Sequence, residues 1–436
     1  MKKYKHIGVI YFFLCVLSTL SGQELLTLDK AIELALHNTF SIAIVKTNLT
    51  IASNNNTIGN AGYLPQVYFN ASNNLSSVNT KQEYSSGLSI DRQGVSSSNI
   101  ASGLVFNWTL FDGLKMFATK ERLAQLQAQG ELNVKIEIEN TLSRLITIYY
   151  NVVRQDQLIK AMLESEKVSE ERIRIAQKKL DIGSASKLDL LQAKVDLNTQ
   201  RSSILKLKAD LRNYKAALNQ LVARDSETEF NVNDTIPLSY KPSYADLKST
   251  LPKQNDSILF AQKNILISNQ VLHEVNALRL PQLGVTAAYN FSKTNNQVGF
   301  ALVNQNLGWN GGFTLYWNLF NGLKTDILHR NAQQAIMISK FQLDQTQRQV
   351  ETSLLKAWNN YQYASEALEL ENENSQVARE NLTVAVERFR LGNATNVDLN
   401  LAQKSFEDAI SRQVAARYDA KVAETTLMKL NGELVK

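Results

Sequence analysis

Two aspartates are the side chains best placed to do chemistry. Asp189 and Asp398 lie 209 residues apart, and each stands three positions after a hydroxyl residue, Ser186 or Thr395. This spacing predicts a capping box, in which carboxylate and hydroxyl satisfy free backbone N–H groups at the start of a helix. Carboxylates that oligomer symmetry gathers into a ring can instead select cations and help to close an aperture. Both roles are open for these two residues.

No other pattern points to catalysis, to a metal site or to nucleic acid. We find no nucleophile elbow, phosphate-binding loop or paired catalytic acids. The formal charge of +6 is spread over 436 residues without a basic patch interleaved with aromatics, so nucleic-acid binding is not expected. We therefore predict neither an enzyme nor a bound cofactor. The histidines show no spacing typical of metal ligands: His6, His37, His273 and His329.

The aspartates belong to one design that the chain carries twice. The segment Phe106–Lys115 recurs as Leu315–Lys324, and Leu180–Asp189 recurs as Phe389–Asp398, both at an offset of 209 residues. Two matches about 75 residues apart at one offset predict an internal tandem repeat.

A third match sets the limits of the two copies. Leu64-Pro65-Gln66 recurs as Leu280-Pro281-Gln282 at an offset of 216, so the first copy has seven extra residues in a Ser-rich loop. We predict a first repeat over 23–223, a connecting segment over 224–257 and a second repeat over 258–436.

Each copy contains a long helical hairpin, predicted over 114–222 and 323–431. Residues 323–391 contain neither Gly nor Pro, and one helix of that length is about 100 Å long. Its counterpart is interrupted only by Gly130, which we expect to weaken the helix by about 1 kcal/mol without breaking it. The second helix of each hairpin keeps a seven-residue apolar repeat, with Gln200 as the polar break in the first copy, which predicts coiled-coil packing.

Each copy also contains two short alternating segments, predicted as strands over 66–79 and 100–111, and over 282–293 and 312–320. Trp108 and Trp317 each lie on the apolar face of a predicted strand. About ten residues suffice for a tilted strand to cross an outer membrane, with apolar residues toward lipid. We expect both tryptophans to be membrane-interface anchors, and the Ser-, Asn- and Gln-rich stretches 78–98 and 293–310 to be extracellular loops.

The N-terminus predicts export. Lysines precede an apolar run from Ile7 to Leu17 and then small residues, so 1–22 are predicted to be a signal peptide. Leu14 stands where a lipobox needs a small residue, which argues against acylation of Cys15 but leaves it open. No later stretch has the roughly 18 apolar residues of a transmembrane helix, so strands must make any membrane crossing.

Four strands per chain cannot close a barrel, and open sheet edges cannot face lipid. Other copies of the chain must supply the remaining strands. Two copies give eight strands and an interior filled by side chains, whereas three give twelve strands and room for water. We therefore predict a homotrimeric 12-stranded transmembrane β-barrel that is continued by a long α-helical coiled-coil barrel.

The doubled order of helix, Leu-Pro-Gln, strand pair ending in Leu-Phe-Asp/Asn-Gly, long helix, Gly, Ser/Thr-x-x-Asp and heptad helix resembles the TolC-like outer membrane efflux protein family. The resemblance extends from about Thr27 to Leu430. It implies an exit duct in the cell outer membrane, with its helical tube in the periplasm. The implied partners are a periplasmic adaptor and an inner-membrane pump of the RND, MFS or ABC class.

The resemblance also assigns roles at the two hairpin turns. It implies an aperture role for Asp398, and for Asp189 a link to an arginine, but Ala394 stands where the family has that arginine and Leu401 where it has a second aspartate. Arg388 or Arg390 could substitute. The implied adaptor-docking residues are Ile182, Gly183, Ser186, Leu391, Gly392 and Thr395. An ordinary helical turn explains the glycines equally well.

Alternatives remain at this stage. A drug or metal exit duct and a type I secretion duct have the same sequence features, so the exported substrate and the cognate pump are not determined. A non-channel coiled-coil envelope protein or adhesin would have the helices without barrel strands.

Overall fold

The computed structural model describes residues 24–434. The predicted signal peptide and Cys15 lie outside these residues. The chain divides into two compact units, and each combines segments of both copies. Within the described residues, unit 1 comprises 24–47, 132–259 and 345–434, and unit 2 comprises 48–131 and 260–344.

The described residues form eight helices. The two longest, α3 and α7, have 67 residues each, which corresponds to about 100 Å. The helices are α1 (Leu28–Asn38), α2 (Phe40–Asn55), α3 (Lys115–Asp181), α4 (Lys187–Leu221), α5 (Tyr244–Gln254), α6 (Asp256–Ala277), α7 (Lys324–Arg390) and α8 (Asn396–Leu430). None of the helices in this part of the chain combines the length and apolarity needed to cross a membrane.

Helix α3 runs through Gly130 without a break, as predicted. The structure adds a reason for the glycine. A Cβ atom at Gly130 would lie 3.2 Å from Cδ1 of Leu49, so the missing side chain lets α2 approach α3 closely. The helix-weakening glycine is therefore also a packing residue.

The described strands form two sheets. A short parallel pair joins β1 (Glu24–Leu25) to β4 (Phe230–Asn231) in unit 1. In unit 2, four antiparallel strands have the order β2-β3-β5-β6. Their bounds are β2 (Gln66–Glu83), β3 (Ser89–Phe111), β5 (Gln282–Asn296) and β6 (Val303–Tyr316).

The predicted strand limits were wrong at several ends. Strands β2 and β3 continue through most of 78–98, and β5 and β6 continue into 293–310, which were expected to be loops. Polar side chains do not stop a strand whose backbone groups stay paired, and the β2–β3 ladder extends to Glu83 and Ser89. The strand predicted over 312–320 ends at Tyr316, so Trp317 lies just beyond it.

The four-stranded sheet has one apolar face and one neutral polar face. Cross-strand partners place Phe69, Leu104, Tyr289 and Trp309 side by side. Because alternate residues point to opposite faces, the next positions form the other face, with Asn70, Gly103, Asn290 and Gly308 in one row. No Asp, Glu, Lys or Arg occurs in 66–76, 98–110, 282–292 or 303–316.

The core of unit 1 joins residues of the helices with residues of β1, β4 and their flanks. Buried Leu26, Leu145, Tyr149, Leu218 and Phe230 form one cluster, and the Tyr149 hydroxyl donates to the Leu26 carbonyl at 3.0 Å. The predicted heptad seams are buried in both copies. They include Leu190, Ala193, Leu197 and Ile204 in α4, and Leu399, Ala402, Phe406 and Ala409 in α8.

Candidate functional site at the hairpin tips

Both hairpins turn through a left-handed glycine. Gly183 has φ 78° and Gly392 has φ 85°. The Ser184 N–H donates to the Lys179 carbonyl and the Asn393 N–H to the Arg388 carbonyl, each at 2.8 Å. These bonds end the long helices in the manner typical of C-terminal glycine caps.

Both predicted capping boxes are present. Oδ2 of Asp398 accepts from the Thr395 N–H at 2.9 Å and from its hydroxyl at 2.8 Å. The same two bonds from Ser186 to Asp189 measure 3.2 and 3.1 Å. The bonds from Thr395, backbone first, and the nearby Arg388 lower the pKa of Asp398. The carboxylate is exposed, so it is an ionised group on the surface of the tip.

Apolar side chains surround these turns and remain exposed in the single chain. Ile182 is 78% and Leu391 is 73% exposed. A Cβ atom on Gly183 or Gly392 would have no atom within 4 Å. The tips therefore present apolar surface and open space, which suits contact with another protein.

A lysine joins the two tips. Lys179 Nζ donates to the Phe389 carbonyl at 3.1 Å and lies 4.4 Å from the centre of the Phe389 ring. The two arginines that could substitute for the family's missing one make local contacts in the described chain. Arg388 donates to the Asn393 carbonyl at 3.2 Å, and Arg390 lies 4.0 Å from Glu387. No sequence spacing signals the contact of Lys179, because it depends on how the two hairpins pack.

Ala394 is part of the apolar packing between the tips. It packs against a buried cluster that contains Phe389, Leu399 and Phe406. The arginine that the family has at this position would have to place its long charged side chain beside these apolar residues. The departure from the family pattern is thus accompanied by apolar contacts at the same position.

A buried polar cluster joins α3 and α4 to α8. Gln403 Nε2 donates to Ser169 Oγ at 2.7 Å, Ser169 Oγ donates to Gln200 Oε1 at 2.8 Å, and Gln200 Nε2 donates to Glu407 Oε1 at 2.7 Å. Gln200 was visible in the sequence as the break in the apolar seam. Its partners were not, since they lie on other helices.

A buried ion pair lies next to this cluster. Arg172 is 1% exposed, and its Nη2 lies 2.8 Å from Asp196 Oδ2. Asn400 donates to the same oxygen. Because removing one partner would leave a buried charge, the three side chains fix how α3, α4 and α8 pack in unit 1.

Comparison with known proteins decides the family. The sequence matches the model of the outer membrane efflux protein family over residues 31–224 and 250–433. The chain belongs to the outer membrane efflux protein family. Each matched segment falls largely within one copy of the repeat.

Two relatives are similar to this outer membrane efflux protein over most of its sequence, and a solved structure shares its fold. It is 23% identical over 426 residues to the outer membrane efflux protein BepC of Brucella suis biovar 1 (strain 1330), covering 96% of this chain and 88% of BepC. It is 20% identical over 363 residues to the outer membrane protein TolC of Escherichia coli (strain K12), covering 80% and 73%. The solved structure of VceC from Vibrio cholerae superposes with a TM-score of 0.74 at 17% identity, covering 93% and 96%. The predicted combination of long helical hairpins with a four-stranded sheet per chain is confirmed.

The two tryptophans of this efflux protein make equivalent contacts. Trp108 Nε1 donates to the Tyr63 carbonyl at 2.9 Å, and Trp317 Nε1 donates to the Arg279 carbonyl at 3.1 Å. Tyr63 and Arg279 precede the two Leu-Pro-Gln motifs. Each indole thus holds the backbone segment that leads into a strand pair. The sequence alone did not predict this contact.

Proposed function

We propose that this chain is a protomer of a homotrimeric exit duct in the cell outer membrane. The duct passes substrates delivered by a periplasmic adaptor and an inner-membrane RND, MFS or ABC pump, and it catalyses no reaction itself. The first repeat packs against the second within one chain, but the equivalent junction after the second repeat has no partner among the described residues. This difference is the observation that carries the proposal.

The sheet displays the open junction as two free edges. Strand β3 of the first repeat pairs with β5 of the second, whereas β2 and β6 pair on one side only among the described strands. A β6 edge joined to β2 of a further copy continues the antiparallel order. Three copies supply twelve strands, and a barrel of that size leaves an aqueous interior.

Two glycines record the same asymmetry. A Cβ atom on Gly113 would lie 2.4 Å from the Ala277 carbonyl oxygen, so the first copy packs closely against the second. Gly322, in the same Asp/Asn-Gly-Leu motif, has no atom within 4 Å of that position. In a closed ring, Ala61 of the neighbouring protomer would lie beside Gly322, as Ala277 lies beside Gly113 within the chain.

The sheet faces fit a wall between lipid and water. The face with Phe69, Leu104, Tyr289 and Trp309 faces lipid, with Trp108 and Trp317 near its border. The opposite face of asparagines, serines, threonines and glycines lines the passage, without a charged side chain within 66–76, 98–110, 282–292 and 303–316. Selection by charge then falls to the half-buried carboxylate of Asp189 and the exposed carboxylate of Asp398 near the tips.

Docking of an adaptor at the tips can be tested with Gly392→Arg. A Cβ atom at this position would meet no atom within 4 Å in the single chain, and the left-handed backbone costs about 1–2 kcal/mol. We expect export to be lost while the trimer still forms, measured as failure to restore growth of a deletion strain on toxic compounds that wild type tolerates.

Gly299→Arg is the matched control. Gly299 also has a left-handed backbone and nothing within 4 Å, but it lies in the β5–β6 turn. It should leave export intact. Normal export by Gly392→Arg would contradict docking at this tip, and loss of the trimer would make Gly392 a folding residue.

Conduction tests the duct itself. The purified protein should insert into planar bilayers and pass ions in discrete steps. A helical oligomer that is extracted without detergent and never conducts would instead be a coiled-coil envelope protein.

A further inference from the structure

The wall of the four-stranded sheet carries one charged residue. Residues 66–80, 93–111 and 282–316 contain no Asp, Glu or Arg, and Lys293 is the only lysine among them. Lys293 lies in β5, is half-buried, and forms no ion pair with any residue of 24–434. An unpaired cation in an otherwise neutral membrane wall is the kind of residue that marks a binding function.

Lys293 lies on the apolar face of the sheet, at one of its borders. Two residues earlier, Phe291 faces Leu307, and these two are the last apolar pair of β5 and β6. Because alternate residues of a strand share a face, Lys293 follows Phe291 on the same side of the sheet. Strand β5 begins at Gln282, shortly after helix α6 ends. The lysine therefore lies at the border that is remote from the helices.

The distance along β5 places this lysine at the level of lipid headgroups. Leu283 and Phe291 are the first and last outward apolar residues of the strand, and eight residue steps span about 26 Å. With a strand tilt of about 40°, this becomes roughly 20 Å along the membrane normal, close to the apolar band of an outer-membrane barrel. Lys293 follows two residues later, and its long side chain can extend its ammonium group farther outward.

Amide and hydroxyl groups flank the lysine on the same face. Gln305 is its partner on β6, and Asn295 follows two residues along β5. Asn295 Nδ2 donates to Ser98 Oγ at 3.4 Å. An ammonium group offers three donors to an anion, and the amides and the hydroxyl can bond to neutral oxygens. This combination suits a phosphate group that is attached to a sugar.

The other border of the apolar face differs in chemistry. It carries the indoles of Trp108 and Trp317, and no charged residue of the four strands lies there. Indoles suit the interface of any bilayer, whereas a cation attracts anionic lipids. The difference between the two borders indicates that the leaflet remote from the helices is the one with the phosphorylated headgroup.

We propose that Lys293 binds a phosphate group of a phosphorylated saccharide lipid in the outer leaflet, with Gln305 and Asn295 contacting the sugar. The inference rests on the membrane-spanning sheet proposed above and adds a lipid site to its outer surface. Three copies of the chain provide three equivalent sites.

Native mass spectrometry of the purified trimer with added bisphosphorylated lipid A tests the site. Wild type should take up as many as three lipids. Lys293→Gln should bind them about fivefold more weakly, and Lys293→Arg should bind as wild type does. Raising the salt concentration should reduce the difference between wild type and Lys293→Gln.

A swap of two neighbouring residues is the matched control. Thr294 pairs with Asn99 and Asn304, on the opposite face of the sheet. The double variant Lys293→Thr with Thr294→Lys keeps the composition and moves the cation to the passage. It should bind lipid A as weakly as Lys293→Gln does, and single-channel recordings should show a shift toward anions. Binding at the wild-type level by this double variant would contradict the assignment.

Two further probes identify the ligand. Lipid A from which both phosphates have been removed should bind equally weakly to wild type and to Lys293→Gln. Inorganic phosphate at the concentration of the lipid should not displace bisphosphorylated lipid A. Displacement would show that the site takes soluble phosphate, and the lipid assignment would be wrong.

The outcomes separate this inference from the proposed function. A conducting trimer that binds bisphosphorylated lipid A equally well with and without Lys293 overturns the lipid site and leaves the duct standing. A protein that neither inserts into bilayers nor conducts overturns both.

Discussion

The two junctions between the repeats differ in what covers them. Within the chain, β3 pairs with β5, Gly113 contacts Ala277, and α3 packs against an apolar cluster of the second copy. At the other junction, β2 and β6 each lack a second neighbouring strand within residues 24–434, and a Cβ atom on Gly322 would meet no described atom within 4 Å. The motifs are the same on both sides, so the difference lies in a missing neighbour. In the proposed ring, the neighbouring protomer would supply it.

A second difference is written in the sequence itself. The seam of α4 is rich in leucine, whereas the seam of α8 is rich in alanine. Small side chains let helices approach more closely. If only one hairpin moves when the duct opens, this difference between the seams of α4 and α8 distinguishes the hairpin that moves from the one that stays fixed.

Alanine at the two junction glycines should have the largest effect. In Gly113→Ala the new Cβ would lie 2.4 Å from a carbonyl oxygen, with φ at 74°. We expect a loss of about 3 kcal/mol or more in the free energy of unfolding. Gly322→Ala should cost a single chain only about 1–2 kcal/mol of backbone strain.

The comparison becomes sharper in the oligomer. Gly322→Ala should leave the chain folded and reduce the yield of trimer, whereas Gly113→Ala should reduce folding itself. Pulse proteolysis measures the folded fraction of each variant, and native gels measure the yield of trimer. Equal loss of folding in both variants would contradict the view that only one junction is closed within the chain.

A buried carboxyl in the first copy should make stability depend on pH. Burial and the nearby Asp256 raise the pKa of Glu139 to about 7, against the opposing effect of Lys429 and Lys135. The folded state then holds a proton that the unfolded chain releases near pH 4.5, so stability falls as the pH rises from about 4.5 to about 7. Glu139→Gln should be more stable than wild type at pH 8 by up to about 3 kcal/mol.

The second copy provides the control for this pH effect. Its matching residue, Arg348, is exposed, so Arg348→Gln should change stability little at any pH. Thermal unfolding in detergent between pH 5 and 8 measures both variants. A Glu139→Gln profile parallel to that of wild type would show that this carboxyl stays ionised.

The two tips should respond unequally to loss of their aspartates. Losing a helix cap costs about 1 kcal/mol, and Asp398 makes shorter bonds than Asp189, so Asp398→Asn should cost more than Asp189→Asn. If Asp398 also forms a cation-selecting ring, its variant should lower the cation preference in single-channel recordings. Unchanged selectivity in Asp398→Asn would leave this residue the capping role alone.

The tryptophans should give the smallest effect and the smallest difference. Trp108→Phe and Trp317→Phe each lose one indole hydrogen bond to a backbone carbonyl. About 1 kcal/mol is expected for each, measured by thermal unfolding in detergent. A clearly larger loss for one of them would show that the two strand entries are not equivalent.

Patterns of spacing predicted much of this fold. The offset of 209 residues predicted the repeat, the heptads predicted the buried seams of α4 and α8, and Ser/Thr-x-x-Asp predicted both capping boxes. Each of these signals is local, or is repeated at a fixed period. They require no knowledge of how distant segments meet.

The features that were missed depend on distant partners. Strand ends were misjudged because ladder hydrogen bonds, rather than side-chain polarity, decide where β2 and β6 stop. Lys179 beside Phe389, and Gln403 between Ser165 and Ser169, join residues more than 200 positions apart. Such contacts follow from hairpin packing, which one sequence does not specify.

The number of copies in the membrane tests the central claim most directly. Native mass spectrometry of the protein extracted from outer membranes should give the mass of three mature chains, because three open junctions close one twelve-stranded ring. A mass of one or two chains would contradict the account.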